Sequence, residues 1–296
     1  MADCLLFTIW MDEIMALFLM LVKEIIRVVT VILIATLLMF FIVSSSPDIS
    51  AKKDNKTYHQ WIGKIIFNCD MGTTRQGEQV LSVVLSRAKN SALLIILALI
   101  FAILWTGCFL IATFKIKQKG LIVFLRFLCY GISVCPTFVV GHFLLHLSHN
   151  KLVSPEMLDD PVWYYYLVPA MILGITDGFL GETIRHAVSE INHIKSEHYV
   201  KMAQAKGASI WRHMINDFII HMSMIISLHM VVLISGTVII ECIFCLPGIG
   251  GLAFNAAEAR DTGLLLGILF FVVIIVVILN MVNRIIALCL DPRLRG

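Results

Sequence analysis

Asp177, Glu182, Arg185 and Glu241 fall within or beside two strongly apolar stretches, Tyr164 to Ile184 and Phe218 to Ile240. A charge at membrane depth is costly, so such residues face a bundle interior or water and take partners there. Asp177 is the deepest of them by sequence. It reads either as a group on a substrate pathway or as a residue paired with Arg185 or set at the edge of a water-filled cavity. Glu182 and Arg185 are pathway candidates beside it. Glu241 stands at the outer end of its stretch, where its expected role is to bond the hairpin backbone around Pro247 and Gly248.

His142, His146 and His149 occupy i, i+4 and i+7, one face of a helix. Imidazoles so spaced could hold a soft divalent ion such as Ni²⁺. The favoured reading is three polar residues lining the outer end of a span, with no metal site and no cofactor. Cys242 and Cys245 form a C-x-x-C without the helix-sheet setting of a redox motif. The other cysteines are scattered, most of them in apolar runs, and read as small hydrophobes. No G-x-x-x-x-G-K-[ST] occurs, so the chain has no phosphate loop of its own. H-E-x-x-H and G-x-S-x-G are absent too, which argues against an intramembrane enzyme.

These residues need elements to hold them, and composition says which. Of 296 residues, 59% are hydrophobic and 15% charged, with a mean hydropathy of +0.91. Soluble domains are nearer half apolar and a quarter charged, so this is an all-α polytopic membrane protein. The net charge of +3 is small and its basic residues are spread over several loops, which excludes a nucleic-acid footprint. A helix of about 20 apolar residues crosses the hydrocarbon. That length places spans at about Ile25–Val43, Ala88–Phe114, Leu121–Leu147 with a kink at Pro136, Tyr164–Ile184, Phe218–Ile240 and Leu264–Leu290. Residues 1–22 carry Asp12 and Glu13 and read as an N-terminal extension without a cleavable signal peptide. Residues 23–87 hold the first span and an outward-facing segment, and residues 88–296 the core domain. Lysine and arginine between 115 and 119, between 185 and 212, and in the tail put those segments and both termini on the cytoplasmic side.

The island between the fourth and fifth spans is the most informative stretch, with Tyr199, Val200, Ala203, Ala205, Lys206 and Gly207 at its centre. Hydrocarbon cannot host so polar a segment. Its small residues permit close backbone approach, which suits two short helices docking on another protein through Ala203, Ala205 and Gly207. Gly207 is expected to end the first of them in a left-handed conformation, and Ala208–Asp217 to return as the second. A basic loop that only sets orientation is the plainer alternative.

His198-Tyr199-Val200-Lys201-Met202-Ala203-Gln204-Ala205-Lys206-Gly207 resembles the EAA coupling motif of ABC-importer permeases of the dipeptide, oligopeptide and nickel group. Glu241-Cys242-Ile243-Phe244-Cys245-Leu246-Pro247-Gly248-Ile249-Gly250-Gly251-Leu252 resembles a second signature of that family. Arg260-Asp261 resembles a third and Leu290-Asp291-Pro292-Arg293-Leu294-Arg295 a fourth. Departures occur: Asp217 stands where asparagine is usual, His221 where proline is usual, and Arg284 where the last span commonly has an aspartate.

The resemblance implies a type I ABC importer-like permease of about six spans in the bacterial inner membrane. Its coupling loop would be residues 190–217, and its outer hairpin would be marked by Glu241, Phe244, Pro247, Gly248 and Gly250. It implies a transport subunit rather than an enzyme, with ATP hydrolysed on two partner ATPases. A homologous second permease and an extracytoplasmic binding protein would complete the assembly, embedded in lipid, to move short peptides or a chelated metal such as nickel. An ion-coupled secondary transporter working without ATPases is the alternative. It would require an internal repeat with paired broken helices, and no convincing repeat is present.

Overall fold

The computed structural model describes residues 22–23, 26–41, 63, 71–116, 118–147, 163–207 and 210–290. Among them the regular structure is helical. The helices are α1 (Ile26–Phe41), α2 (Val80–Lys115), α3 (Lys119–Ser133), α4 (Thr137–Leu147), a 3₁₀ turn (Trp163–Tyr166), α5 (Leu167–Ile175), α6 (Phe179–Ser196), α7 (His198–Ala205), α8 (Ile210–Ile243), α9 (Ile249–Glu258) and α10 (Thr262–Leu290).

Residues 73–265 make one compact unit, and residues 1–72 with 266–296 make another. In the second, the described parts are chiefly α1 and most of α10. Val80–Thr113 and Thr262–Val282 are each long and apolar enough to cross a membrane alone. Three helix pairs are apolar enough together but bent at a short break: Gly120–Ser133 with Thr137–Leu147 at 89°, Leu167–Ile175 with Phe179–Ser196 at 56°, and Asp217–Ile226 with His229–Ile243 at 41°. If each pair is one span, the described residues hold up to five. The expected first span extends beyond α1 onto residues outside the described ones, as do the N-terminal extension, most of the outward segment up to Asp70, and the C-terminal tail.

Two expectations are corrected. Leu121–Leu147 is not one kinked helix: α3 ends at Ser133 and α4 restarts at Thr137 after Pro136, almost at a right angle. Pro136 cannot donate a backbone N–H, and it stands immediately before α4, where that loss is harmless. Tyr164–Ile184 is likewise broken. Asp177 and Gly178 both have positive φ, 53° and 80°, and the helix that resumes at Phe179 runs on to Ser196. The apolar stretch and the first half of the polar island therefore share one helix.

The core of the 73–265 unit joins Leu94, Ala98 and Ala102 of α2 to Ala170, Ile172 and Leu173 of α5 and to Leu233 and Ile240 of α8. Small residues set the spacing, as they must where apolar helices associate in lipid. A Cβ on Gly174 would lie 2.6 Å from the Ala98 carbonyl oxygen, so α2 and α5 meet backbone to backbone.

Candidate functional site

The island folds as a short helix clasped between two long ones. α7 turns Val200 and Ala203 inward, with 2% and 9% of their surface exposed. Val200 packs with Ile191 and Ile194 of α6 and Met214 of α8. Tyr199, Lys201, Met202, Gln204, Ala205, Lys206 and Gly207 remain exposed. The contact face expected through Ala203, Ala205 and Gly207 is thus corrected in part. The 3.6-residue period sets Ala203 on the stripe of Val200, against this chain, and leaves Ala205 and Gly207 outward.

α7 ends as its residues require. Gly207 has φ +72°, with its N–H donating to the Gln204 carbonyl at 3.0 Å. No heavy atom lies within 4 Å of where its Cβ would be, so glycine is required there for backbone conformation, not for space. Among the described residues the expected second short helix is not separate, because residues from Ile210 are the first turns of α8. The Tyr199 hydroxyl donates to the Asp217 carboxylate and ties α7 to α8.

The hairpin after α8 is built around Glu241. Its carboxylate accepts from the Ser91 hydroxyl at 2.6 Å and from the amides of Gly250 at 2.7 Å and Gly251 at 3.2 Å. A carboxylate on the first amides of α9 satisfies donors the helix cannot satisfy itself and meets its positive end. Ser91 in turn accepts from the Ile249 amide at 2.8 Å, and the Asn90 side chain donates to the Pro247 carbonyl at 2.8 Å. Phe244 is wholly buried in the core. A Cβ on Gly248 would overlap the Glu241 carboxyl group. Ile249–Glu258 of the hairpin form helix α9.

Asp261 performs a related task. It accepts from the Leu264 amide at 3.1 Å, opening α10, and from the Arg75 amide at 2.9 Å. The Arg75 guanidinium donates to the Arg260 carbonyl at 2.8 Å.

The deep charges do not pair as one reading expected. Asp177 accepts from the Thr137 amide at 2.9 Å and from the Thr137 hydroxyl, and among the described residues it forms no ion pair with Arg185, which is exposed on α6. Glu182 lies 2.7 Å from Nε2 of His229 on α8. That ring also stands edge-on to Phe179 with centroids 5.3 Å apart. Two turns further along the same antiparallel seam, Glu190 lies 3.3 Å from His221. His142 and His146 are exposed on α4, and His149 lies outside the described residues. Cys242 and Cys245 are free thiols.

Sequence reasoning missed Asn90, Ser91, Thr137 and His229. Asn90 and Ser91 end a polar run, Thr137 opens its helix and His229 sits in an apolar stretch; the only available signal is that a buried hydroxyl, amide or imidazole must find a partner.

Residues 119–296 match a family described as the binding-protein-dependent transport system inner membrane component. The chain is 24% identical over 253 residues to the oligopeptide transport system permease protein AppB of Bacillus subtilis, covering 80% of this chain and 79% of that one. It is 24% identical over 169 residues to the glutathione transport system permease protein GsiC of Shigella flexneri, covering 56% and 54%. It is 27% identical over 164 residues to the nickel import system permease protein NikB of Staphylococcus aureus, covering 54% and 48%. The chain thus spans about half the length of these last two relatives. The matched family is one of transport components rather than enzymes, and its match covers the helices of the α7 clasp, the Asp177 joint and Glu241 with α9, though not Asn90 and Ser91 of α2. This all-helical integral membrane protein therefore belongs to the binding-protein-dependent transport system inner membrane component family.

Proposed function

We propose that the chain is the permease subunit of an ATP-driven importer in the bacterial inner membrane, moving short peptides or a chelated metal such as nickel. The observation that carries the reading is the α7 clasp. Val200 and Ala203 hold the helix to its own chain, while Tyr199, Met202, Ala205, Lys206 and Gly207 face outward. A helix so held transmits a push to both α6 and α8. ATPase subunits docking there would drive the motion, and a rigid-body rocking of helices would open the pathway alternately to either side. Six spans with cytoplasmic termini, a second homologous permease and an outer-face binding protein belong to the same reading. Domain limits of 1–22, 23–87 and 88–296 with coupling at 190–217 go with it.

Asp177, Glu182 and Arg185 are the pathway candidates of this reading. Glu182 and Arg185 are exposed within the chain; Glu182 has the His229 ring beside it at 2.7 Å, while the Arg185 charge would face water or another protein chain. Asp177 is exposed as well, though both its carboxylate oxygens already have partners.

The test is isolation of the chain from native membranes with whatever travels with it, followed by reconstitution in vesicles. A labelled dipeptide, glutathione and Ni²⁺ are offered as probes. ATP-dependent uptake of one of them by a complex containing two ATPases is expected. Uptake by the chain alone, driven by an ion gradient, would replace this reading with a secondary transporter.

A further inference from the structure

Two helix breaks meet in this fold, and each satisfies the backbone groups that the other leaves open. α3 ends at Ser133 and α4 starts at Thr137; α5 ends at Ile175 and α6 starts at Phe179. A broken helix leaves unpaired amides at one end and carbonyls at the other. In hydrocarbon these must be satisfied within protein. Here the Gly178 amide donates to the Ser133 carbonyl at 2.7 Å, and the Asp177 amide donates to the Cys135 carbonyl at 3.3 Å. The Gly181 amide, in the first turn of α6, donates to the Ser133 hydroxyl at 2.8 Å. In return, the Thr137 amide that opens α4 donates to the Asp177 carboxylate at 2.9 Å. The Thr137 hydroxyl donates to the other oxygen of that carboxylate. It also lies 2.8 Å from the Thr176 hydroxyl, which donates back to the Ile172 carbonyl at 2.7 Å.

Packing closes the joint from both sides. A Cβ on Gly181 would lie 3.1–3.2 Å from Ser133 and Tyr130, and one on Gly236 of α8 would lie 2.7 Å from Leu173 and 3.6 Å from the Asp177 carboxylate. Asp177 itself has φ +53°, which aspartate tolerates better than most residues. A non-glycine residue in that conformation persists when its surroundings over-determine it.

We propose that Asp177 is a positioning residue that locks the two elbows into one rigid joint, so that α4 and α6 move together and neither bend opens during the transport cycle. The proposal rests on the permease reading, in that it concerns a protein that moves. Its physical basis is the reciprocity: straightening or splaying either elbow would strip partners from both. Motion must then occur at seams held by fewer polar ties.

The test uses the complete complex with its ATPases, in lipid nanodiscs. Spin labels are carried on genetically encoded ketone residues at Phe127 of α3 and Phe143 of α4, which are 73% and 65% exposed. The distance between them reports the 89° elbow. A narrow distribution is expected, unchanged between the nucleotide-free and ATP–vanadate-trapped states. Asp177→Ala should broaden it and reduce probe moved per ATP hydrolysed. Asp177→Asn, which keeps an acceptor for the Thr137 amide and tolerates the same φ, should restore both. If Asp177→Ala does not assemble, Thr137→Val should broaden the distribution by deleting the hydroxyl tie alone. A wild-type distance that shifts on trapping, or a distribution indifferent to these substitutions, overturns the proposal. Absence of vanadate-sensitive hydrolysis by the complex overturns the permease reading instead.

Discussion

Glu241 of α8 and Ser91 of α2 are 150 positions apart and joined by a buried 2.6 Å hydrogen bond at the hairpin that follows α8. Through it the carboxylate, the hydroxyl and the amides of Ile249, Gly250 and Gly251 form one cap for α9. The cap is compact enough to require a hydrogen atom in place of a side chain at Gly248.

Gly248→Ala should therefore displace the Glu241 carboxyl group and unseat the start of α9, a strain of roughly 1–3 kcal/mol by analogy with overpacked cores. Glu241→Ala should cost a similar amount by leaving Ser91 and the α9 amides short of an acceptor. Thermal unfolding of the detergent-solubilised protein measures both. The double variant is expected to cost less than the sum, because the clash disappears with the carboxylate. Strict additivity would mean that the two residues do not act through one another.

Ala203 and Ala205 should respond oppositely to enlargement. Ala203→Leu forces bulk into the buried side of α7 and lowers thermal stability, whereas Ala205→Leu leaves stability within about 0.5 kcal/mol, as exposed changes do. In the docking reading, Ala205→Leu weakens retention of the ATPases on an affinity column. Unchanged retention with Ala205→Leu would remove this residue from the contact.

At Gly207 the constraint is conformational. A non-glycine residue in the left-handed region costs about 1–2 kcal/mol, and a β-branched one is harder to fit. Gly207→Asn should keep most ATP-driven transport and Gly207→Val should lose it, with the membrane helices still folded by circular dichroism. Normal transport by a well-expressed Gly207→Val variant would contradict the coupling role.

Tyr199→Phe and Asp217→Ala should each loosen α7 from α8, at about 1 kcal/mol for a half-exposed hydrogen bond. The double variant should add little to either single change. Hydrogen exchange of the α7 amides is the measurement, and faster exchange confined to 198–205 is the expected result.

Local chemistry was legible in the sequence. The apolar runs announced helices because hydrocarbon leaves the backbone no other partner. The end of α7 at Gly207 was readable because only one residue type accepts that turn without strain. Glu241 could be assigned to the hairpin because its partners Gly250 and Gly251 lie within ten positions of it. The family motifs lay in segments whose local sequence also specifies their shape.

What only the tertiary structure decided is everything that depends on distant partners. The polar island of α7 looked uniformly available from composition, yet Ile191, Ile194 and Met214 claim one side of it, so Ala203 faces inward while Ala205 does not. Pro136 suggested a kink, but it is Asp177, some forty positions later, that meets the amide opening the next helix. Of the alternatives open for Asp177, the pairing with Arg185 gave way to Thr137 for the same reason. Periodicity says which residues share a face. A buried polar group is settled by whichever partner the packed helices bring within 3 Å, and that distance exists only after they have packed.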